Sequence, residues 1–157
     1  METLSSVFVS RHIRLRISTD RPTQFIDLTE RLDALVAQSG VRLGIVNVQT
    51  LHTTTAVVVN EHEPLLLTDF VALLERLAPV DAGYRHDEAL ARTANVIAGE
   101  RINGHAHCRA LCLAPSANLN VVDGALVLGR WQRVFLVELD GPRDRELSVV
   151  VSGEADA

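Results

Sequence analysis

His52 opens the run His52-Thr53-Thr54-Thr55, His86 closes Tyr84-Arg85-His86, and His105-Ala106-His107 follows Asn103-Gly104. Imidazole is the commonest side-chain ligand for borderline metals and the group whose proton affinity lies nearest neutrality, so these short polar stretches are where chemistry is expected. His52, His86 and His107 come from three separate segments. If the fold brings them together, three neutral imidazoles with an open fourth position would match a zinc-like catalytic centre. The same rings could exchange protons without a metal, and scattered surface or core histidines are the plain alternative. His107 lies four positions after Asn103, on the same face if that turn is helical. His105 would diverge from His107 by about 200° on a helix and is expected to play a supporting role or face solvent. His12 and His62 have no distinctive company and read as surface or ladder residues.

The carboxylates nearest this chemistry are Glu61, at the end of the apolar run closed by Asn60-Glu61, and Asp69, on the following helix outside its apolar stripe. A carboxylate can orient an imidazole, hold a hard cation or act as a base, and a solvated helix face is the alternative for Asp69. Arg143 follows Asp140-Gly141-Pro142, a turn from which a fixed guanidinium could bind phosphate or carboxylate. Trp131, the only tryptophan, heads a strand in Gly129-Arg130-Trp131-Gln132 and is by default a core or interface anchor. All fifteen positive residues are arginine. That removes lysine Schiff-base chemistry and the lysine of a P-loop, and leaves anions to arginine, backbone amides or metal. Cys108 and Cys112 share a helical face, where they could hold a metal but are expected to pack as small hydrophobes.

The elements that must position these groups follow from periodicity. Alternation over residues 7–17 predicts a strand. Phe25, Leu28, Leu32, Leu35 and Val36 predict an amphipathic helix over 24–38, stopped by Gly40. The β-branched runs 43–50 and 54–59 predict two strands bracketing His52, and a helix over 66–77 ends at Pro79. The connection 79–103 has no sustained period, and a short helix over 104–113 would be capped by Asn103. Strands at 117–122, 125–128, 131–139 and 146–151, with Asp123-Gly124 as a hairpin signal, predict an antiparallel meander in the C-terminal third. Strands grouped at both ends with two or three helices between them indicate α+β, an antiparallel sheet core carrying the helices.

The 157 residues and 47% hydrophobic content fit a single domain over 1–157. The net charge of −5, dispersed along the chain, offers no basic stripe for nucleic acid. No apolar run reaches a membrane span, and the chain begins with no signal-like segment, so no membrane partner and a cytoplasmic location are expected.

Several ordered motifs resemble the YjbQ family, described as secondary thiamine-phosphate synthases, from about residue 10 to Glu154. They are His52-Thr53-Thr54, Asn60-Glu61, Asp69-Phe70, Tyr84-Arg85-His86-Asp87, Asn103-Gly104-His105-Ala106-His107, and Gly129-Arg130-Trp131-Gln132 with Asp140-Gly141-Pro142-Arg143. The resemblance implies an α+β protomer that assembles as a homotrimer, with a pocket near subunit boundaries in which His52, His86 and His107 hold a divalent, zinc-like metal. It implies substrate contacts from Asn60, Trp131, Gln132 and Arg143, catalytic roles for Glu61, Asp69 and Arg143, and a small phosphorylated substrate, with Mg²⁺ possible beside a pyrophosphate. The implied reaction joins an aminopyrimidine pyrophosphate to a thiazole phosphate. A metal- or small-ligand-binding trimer without turnover and a metal-assisted phosphate-ester hydrolase are the alternatives. The chain departs from the family at Arg130, where threonine is usual, and at Ala114-Pro115-Ser116, where Gly-Pro-Ser is usual.

Overall fold

The computed structural model describes residues 6–157. In chain order the elements are β1 (Ser6–Ser18), β2 (Gln24–Asp27), α1 (Thr29–Ser39), β3 (Val41–Thr50), β4 (Thr55–Glu61), α2 (Pro64–Leu77), α3 (Gly104–Leu111), β5 (Ser116–Val122), β6 (Ala125–Leu126), β7 (Gln132–Glu138) and β8 (Asp144–Asp156). All strand pairs are antiparallel. They form a five-stranded sheet, β1-β8-β3-β5-β6, and a three-stranded sheet, β2-β7-β4. With three helices on antiparallel sheets, the fold is α+β. None of the helices among the described residues is long and apolar enough to cross a membrane.

Alternation decides which strand face is covered. Along β8 the residues Arg145, Leu147, Val149 and Val151 are buried while their neighbours are partly open. The covered face joins α1, through Leu32 and Val36, and one face of the second sheet, through Val57, Val134 and Leu136. The other face of the second sheet carries Ala56, Phe135 and Val137 under Leu74 of α2 and Ala106 of α3. With both faces covered, β7 is apolar at successive positions rather than at alternate ones, and Val134 to Val137 are all fully buried.

Three expectations change. The helix anticipated over 24–38 begins only at Thr29; residues 24–27 pair with β7. Phe25 fits the helical stripe by spacing, but a free edge of β7 recruits its backbone. The C-terminal strands are not a meander. Only β5 and β6 form a hairpin, turned by Asp123 and Gly124 at positive φ, while β7 lies in the second sheet and β8 between β1 and β3. Each has a better-matched apolar face elsewhere. Cys108, on α3, and Cys112, at its C-cap, are exposed, not packed.

Candidate functional site

β3 and β4 belong to different sheets, so the chain must turn a corner between Thr50 and Thr55, and His52 sits on it. The Thr50 and Thr55 hydroxyls are hydrogen-bonded to each other across the corner. His52 Nε2 accepts the Glu146 backbone N–H at 2.8 Å, which leaves the ring proton of the neutral form on Nδ1. Burial, reinforced by the Arg145 charge, lowers the His52 pKa and favours that neutral form. Beneath the corner, buried Arg145 donates Nε to Glu138 Oε2 at 2.6 Å and Nη2 to Thr54 Oγ1 at 3.0 Å. Glu138 also accepts the Leu139 and Asp140 backbone N–H groups, at 2.9 and 2.8 Å, and the Thr19 hydroxyl at 3.0 Å. This carboxylate fixes the turn that carries Asp140 and Arg143.

Asp140 takes the lines of contact onward. Its Oδ2 accepts from Asn103 Nδ2 at 2.8 Å and pairs with Arg143 Nη2 at 2.6 Å. Asn103 is the N-cap of α3 by position, but its side chain makes no cap. Asp87 does so from the preceding connection, its Oδ1 accepting the Asn103 and Gly104 backbone N–H groups at 3.1 and 2.9 Å. Gly104 is needed here because a Cβ would run into Tyr84. The cap places His86, next to Asp87, with its ring centroid 4.6 Å from that of His107 in an edge-on arrangement. Burial, and then the neighbouring His86, lower the His107 pKa.

His52 and His107 line one open groove of about 630 Å³, together with Thr50, Thr55 and Pro115. The three anticipated histidines therefore gather at one end of the molecule: two line a groove and the third abuts the second. Their chemistry suits a zinc-like ion, since His52 and His107 are both pushed toward neutrality. Their arrangement in one protomer is less complete. The His52 Nε2 lone pair is engaged by Glu146, and among the described residues no three His, Cys, Asp or Glu side chains stand close enough to hold a metal. His105 is buried, against the expectation that it could face solvent, and its Nδ1 has no hydrogen-bond partner. The intervening residue that separates it from His107 turns it inward, beside Tyr84.

The remaining anticipated residues lie elsewhere. In the β4–β7 register Thr55 faces Glu138 and Glu61 faces Gln132, so Asn60, Glu61, Trp131 and Gln132 mark the far end of the ribbon. Six residues of strand separate the ends by roughly 20 Å. Asn60 Oδ1 accepts the Glu61 N–H at 2.8 Å, and Gln132 Oε1 accepts the Gly129 N–H at 2.7 Å. Arg130 stands 4.7 Å over the Trp131 ring, which is 61% exposed rather than a core anchor. Asp69 is exposed on α2, outside the lining of the groove that contains Glu61. Arg143 joins the histidine end through Asp140.

Glu138, Arg145, Asp140 and Asp87 hold the site together; Asp87 and Asp140 entered the sequence reading only as motif members without a role, and Glu138 and Arg145 not at all. Glu138 left one signal: an ionisable residue within the otherwise apolar run Val134-Phe135-Leu136-Val137-Glu138-Leu139. A buried carboxylate in such a run needs a cation and several donors.

Residues 13–154 match the model of the family described as UPF0047 protein YjbQ-like. A UPF0047 protein of Methanothermobacter thermautotrophicus is 39% identical over 140 residues, covering 89% of this chain and 90% of the relative. The crystal structure of a YbjQ-like protein of unknown function from Sulfolobus solfataricus superposes with a TM-score of 0.83 at 32% identity, covering 94% of this chain and 99% of that one. A hypothetical protein from Aeropyrum pernix gives 0.79 at 31%, with 90% and 97% covered. With the match running through β1 to β8, the histidine corner and the Glu138 network alike, this chain belongs to the YjbQ-like UPF0047 family.

Proposed function

We propose that the groove between His52 and His107 is the centre of a weak thiamine-phosphate-synthase-type transferase, joining an aminopyrimidine pyrophosphate to a thiazole phosphate with release of pyrophosphate. The observation that carries this reading is the convergence of His52, His86 and His107 on one end of the molecule, with Arg143 held nearby by Asp140. His86 and His107 would hold a divalent metal, which would supply positive charge to the leaving phosphate oxygens. His52 is oriented by the Glu146 N–H and keeps Nδ1–H as a donor toward a substrate oxygen. Asn60, Glu61, Trp131 and Gln132 lie too far along β4 and β7 to reach the same substrate within a protomer. They would contribute from a neighbouring copy of a homotrimer.

Pyrophosphate release by wild type, His52→Ala and Arg143→Ala tests the reading. The expected result is metal-dependent release that falls by about 10²-fold or more in both variants; release unchanged by either variant removes the enzymatic assignment. A second reading, a trimeric metal- or small-ligand-binding protein without turnover, draws support from Arg143, whose Nε and Nη2 are both engaged by Asp140.

A further inference from the structure

β2 is an outer strand of the three-stranded sheet and pairs with β7 on one side only. The Leu28 N–H bonds the Val134 carbonyl, so in an antiparallel ladder the bonded positions recur at Ile26 and Gln24, opposite Leu136 and Glu138. Phe25 and Asp27 alternate with these and direct their N–H and C=O groups away from β7. The far side of β7 keeps the same alternation, since the next residue, Leu139, sends its N–H to the Thr54 carbonyl. The side chains along β2 are already engaged. Gln24 Oε1 accepts the Asp20 N–H at 3.0 Å, and Thr23 Oγ1 accepts Arg109 Nη1 at 3.3 Å. Asp27 Oδ2 meets His62 Nδ1 at 3.0 Å and accepts Arg133 Nε at 2.7 Å, while Oδ1 accepts the Thr29 N–H at 2.9 Å. Burial works against the Asp27 charge, but the bonds from Thr29, Arg133 and His62 outweigh it and hold the pKa down at about 2. What this edge still offers is backbone.

Beside the edge runs a groove of about 610 Å³, with Arg21, Gln24 and Phe25 on one side and Pro64, Leu67 and Val71 of α2 on the other. α2 is apolar around most of its circumference, yet Leu74 is its only buried residue, and Val71 is 38% exposed. A helix of this composition normally has apolar partners on more than one side. Arg21 is 75% exposed, and its ion pair with Asp20 is a loose contact at 3.9 Å. An unpaired strand edge, an apolar helix flank and a cation next to the start of the strand together select the ligand. A small apolar molecule would leave the Phe25 and Asp27 backbone groups desolvated without partners, and a polar one would leave Leu67 and Val71 uncovered.

We propose that the groove between β2 and α2 binds an extended peptide that adds a strand to β2. The peptide backbone bonds Phe25 and Asp27, its alternate apolar side chains pack on Pro64, Leu67 and Val71, and an acidic residue at one end pairs with Arg21. Strand addition takes its affinity from main-chain bonds and its specificity from the side chains that alternate into the groove, and a carboxylate on a guanidinium adds a charge-assisted bond. No residue of this groove belongs to the proposed transferase site, so the proposal does not rest on that reading.

The full chain is titrated by calorimetry with the peptide acetyl-Val-Thr-Val-Thr-Val-Asp-amide, and backbone amide exchange is followed by NMR. The expected outcome is saturable binding that slows exchange of the Phe25 and Asp27 N–H groups. An added strand bonds through one of its edges, so two versions of the peptide N-methylated on alternate amides should differ: one loses about tenfold or more in affinity and the other keeps it. Asn in place of the terminal Asp is expected to weaken binding to wild type about fivefold and to make no difference to Arg21→Gln. Val71→Asp, its fold checked by circular dichroism, is expected to bind about tenfold or more weakly. No saturable binding, equal affinity of the two N-methylated versions, unchanged exchange at Phe25 and Asp27 under saturation, a preference for Asp that survives in Arg21→Gln, or undiminished binding by folded Val71→Asp overturns the proposal. Protection of the same two amides without peptide, rising with protein concentration, assigns the edge to a second copy of the chain and overturns it as well.

Discussion

At the Thr55–Glu138 end of the β4–β7 ribbon, His52 accepts a backbone N–H through Nε2, and burial presses it toward the neutral form. At the Glu61–Gln132 end, His62 turns Nδ1 toward the Asp27 carboxylate. The two ends also differ in how they keep their ionic groups. Glu138 and Arg145 are almost wholly buried, 0% and 3% exposed at the side chain, and are surrounded by hydrogen bonds; Asp27 and Arg133 sit at a partly open rim, 15% and 36% exposed. One end is a rigid, solvent-excluded support beneath a groove. The other leaves Arg130 and Glu61 accessible. The contrast separates an ion pair enclosed by hydrogen bonds from one held at a solvent-exposed rim.

The largest expected effect breaks the buried support. Glu138→Ala strands the Arg145 guanidinium without a counter-charge, and a loss of about 3–5 kcal/mol is expected in urea denaturation. Asp27→Asn, at the open end, is expected to cost only about 1–2 kcal/mol at pH 7, because Arg133 can turn to water. The sign follows from the lowered pKa. The Asp27 contribution is present above the ordinary value of 3.8 and is lost as pH falls through about 2, so wild type and Asp27→Asn should converge in stability near pH 2. If Asp27→Asn destabilises as much as Glu138→Ala, the distinction between the two ends fails.

The smallest effect concerns His52. Because its folded pKa is lowered, the unfolded chain binds the proton first, and stability should decline as pH falls below about 6.5. His52→Gln removes the titrating group, and denaturation curves at pH 7.5 and 5.5 should show a flatter dependence than wild type. An equal slope in the two proteins would place the acid sensitivity elsewhere.

Much of this was legible before folding. The period-two run marks β1, the β-branched runs mark β3 and β4, and the Asp123-Gly124 turn is read directly because only a few residue types tolerate positive φ. The histidine segments stand out by composition alone. Less legible were the partners. Residues 24–27 satisfy a helical stripe yet pair with β7, because an unpaired strand edge attracts backbone that spacing cannot assign. Asn103 satisfies the rules for a cap, but Asp87, sixteen residues earlier, supplies the carboxylate. His62 looks ordinary in sequence because its partner Asp27 is thirty-five residues away.

By itself the sequence determined the α+β class, the confinement of cations to arginine and the segments from which imidazoles come, since these depend on residue type and local period. Only the tertiary structure decided that His52, His86 and His107 lie together while Asn60, Glu61, Trp131 and Gln132 lie apart. The physical reason is strand pairing. The antiparallel register of β4 with β7 sends neighbouring stretches of chain to opposite ends of one ribbon, and the sheet order brings distant ones to the same end.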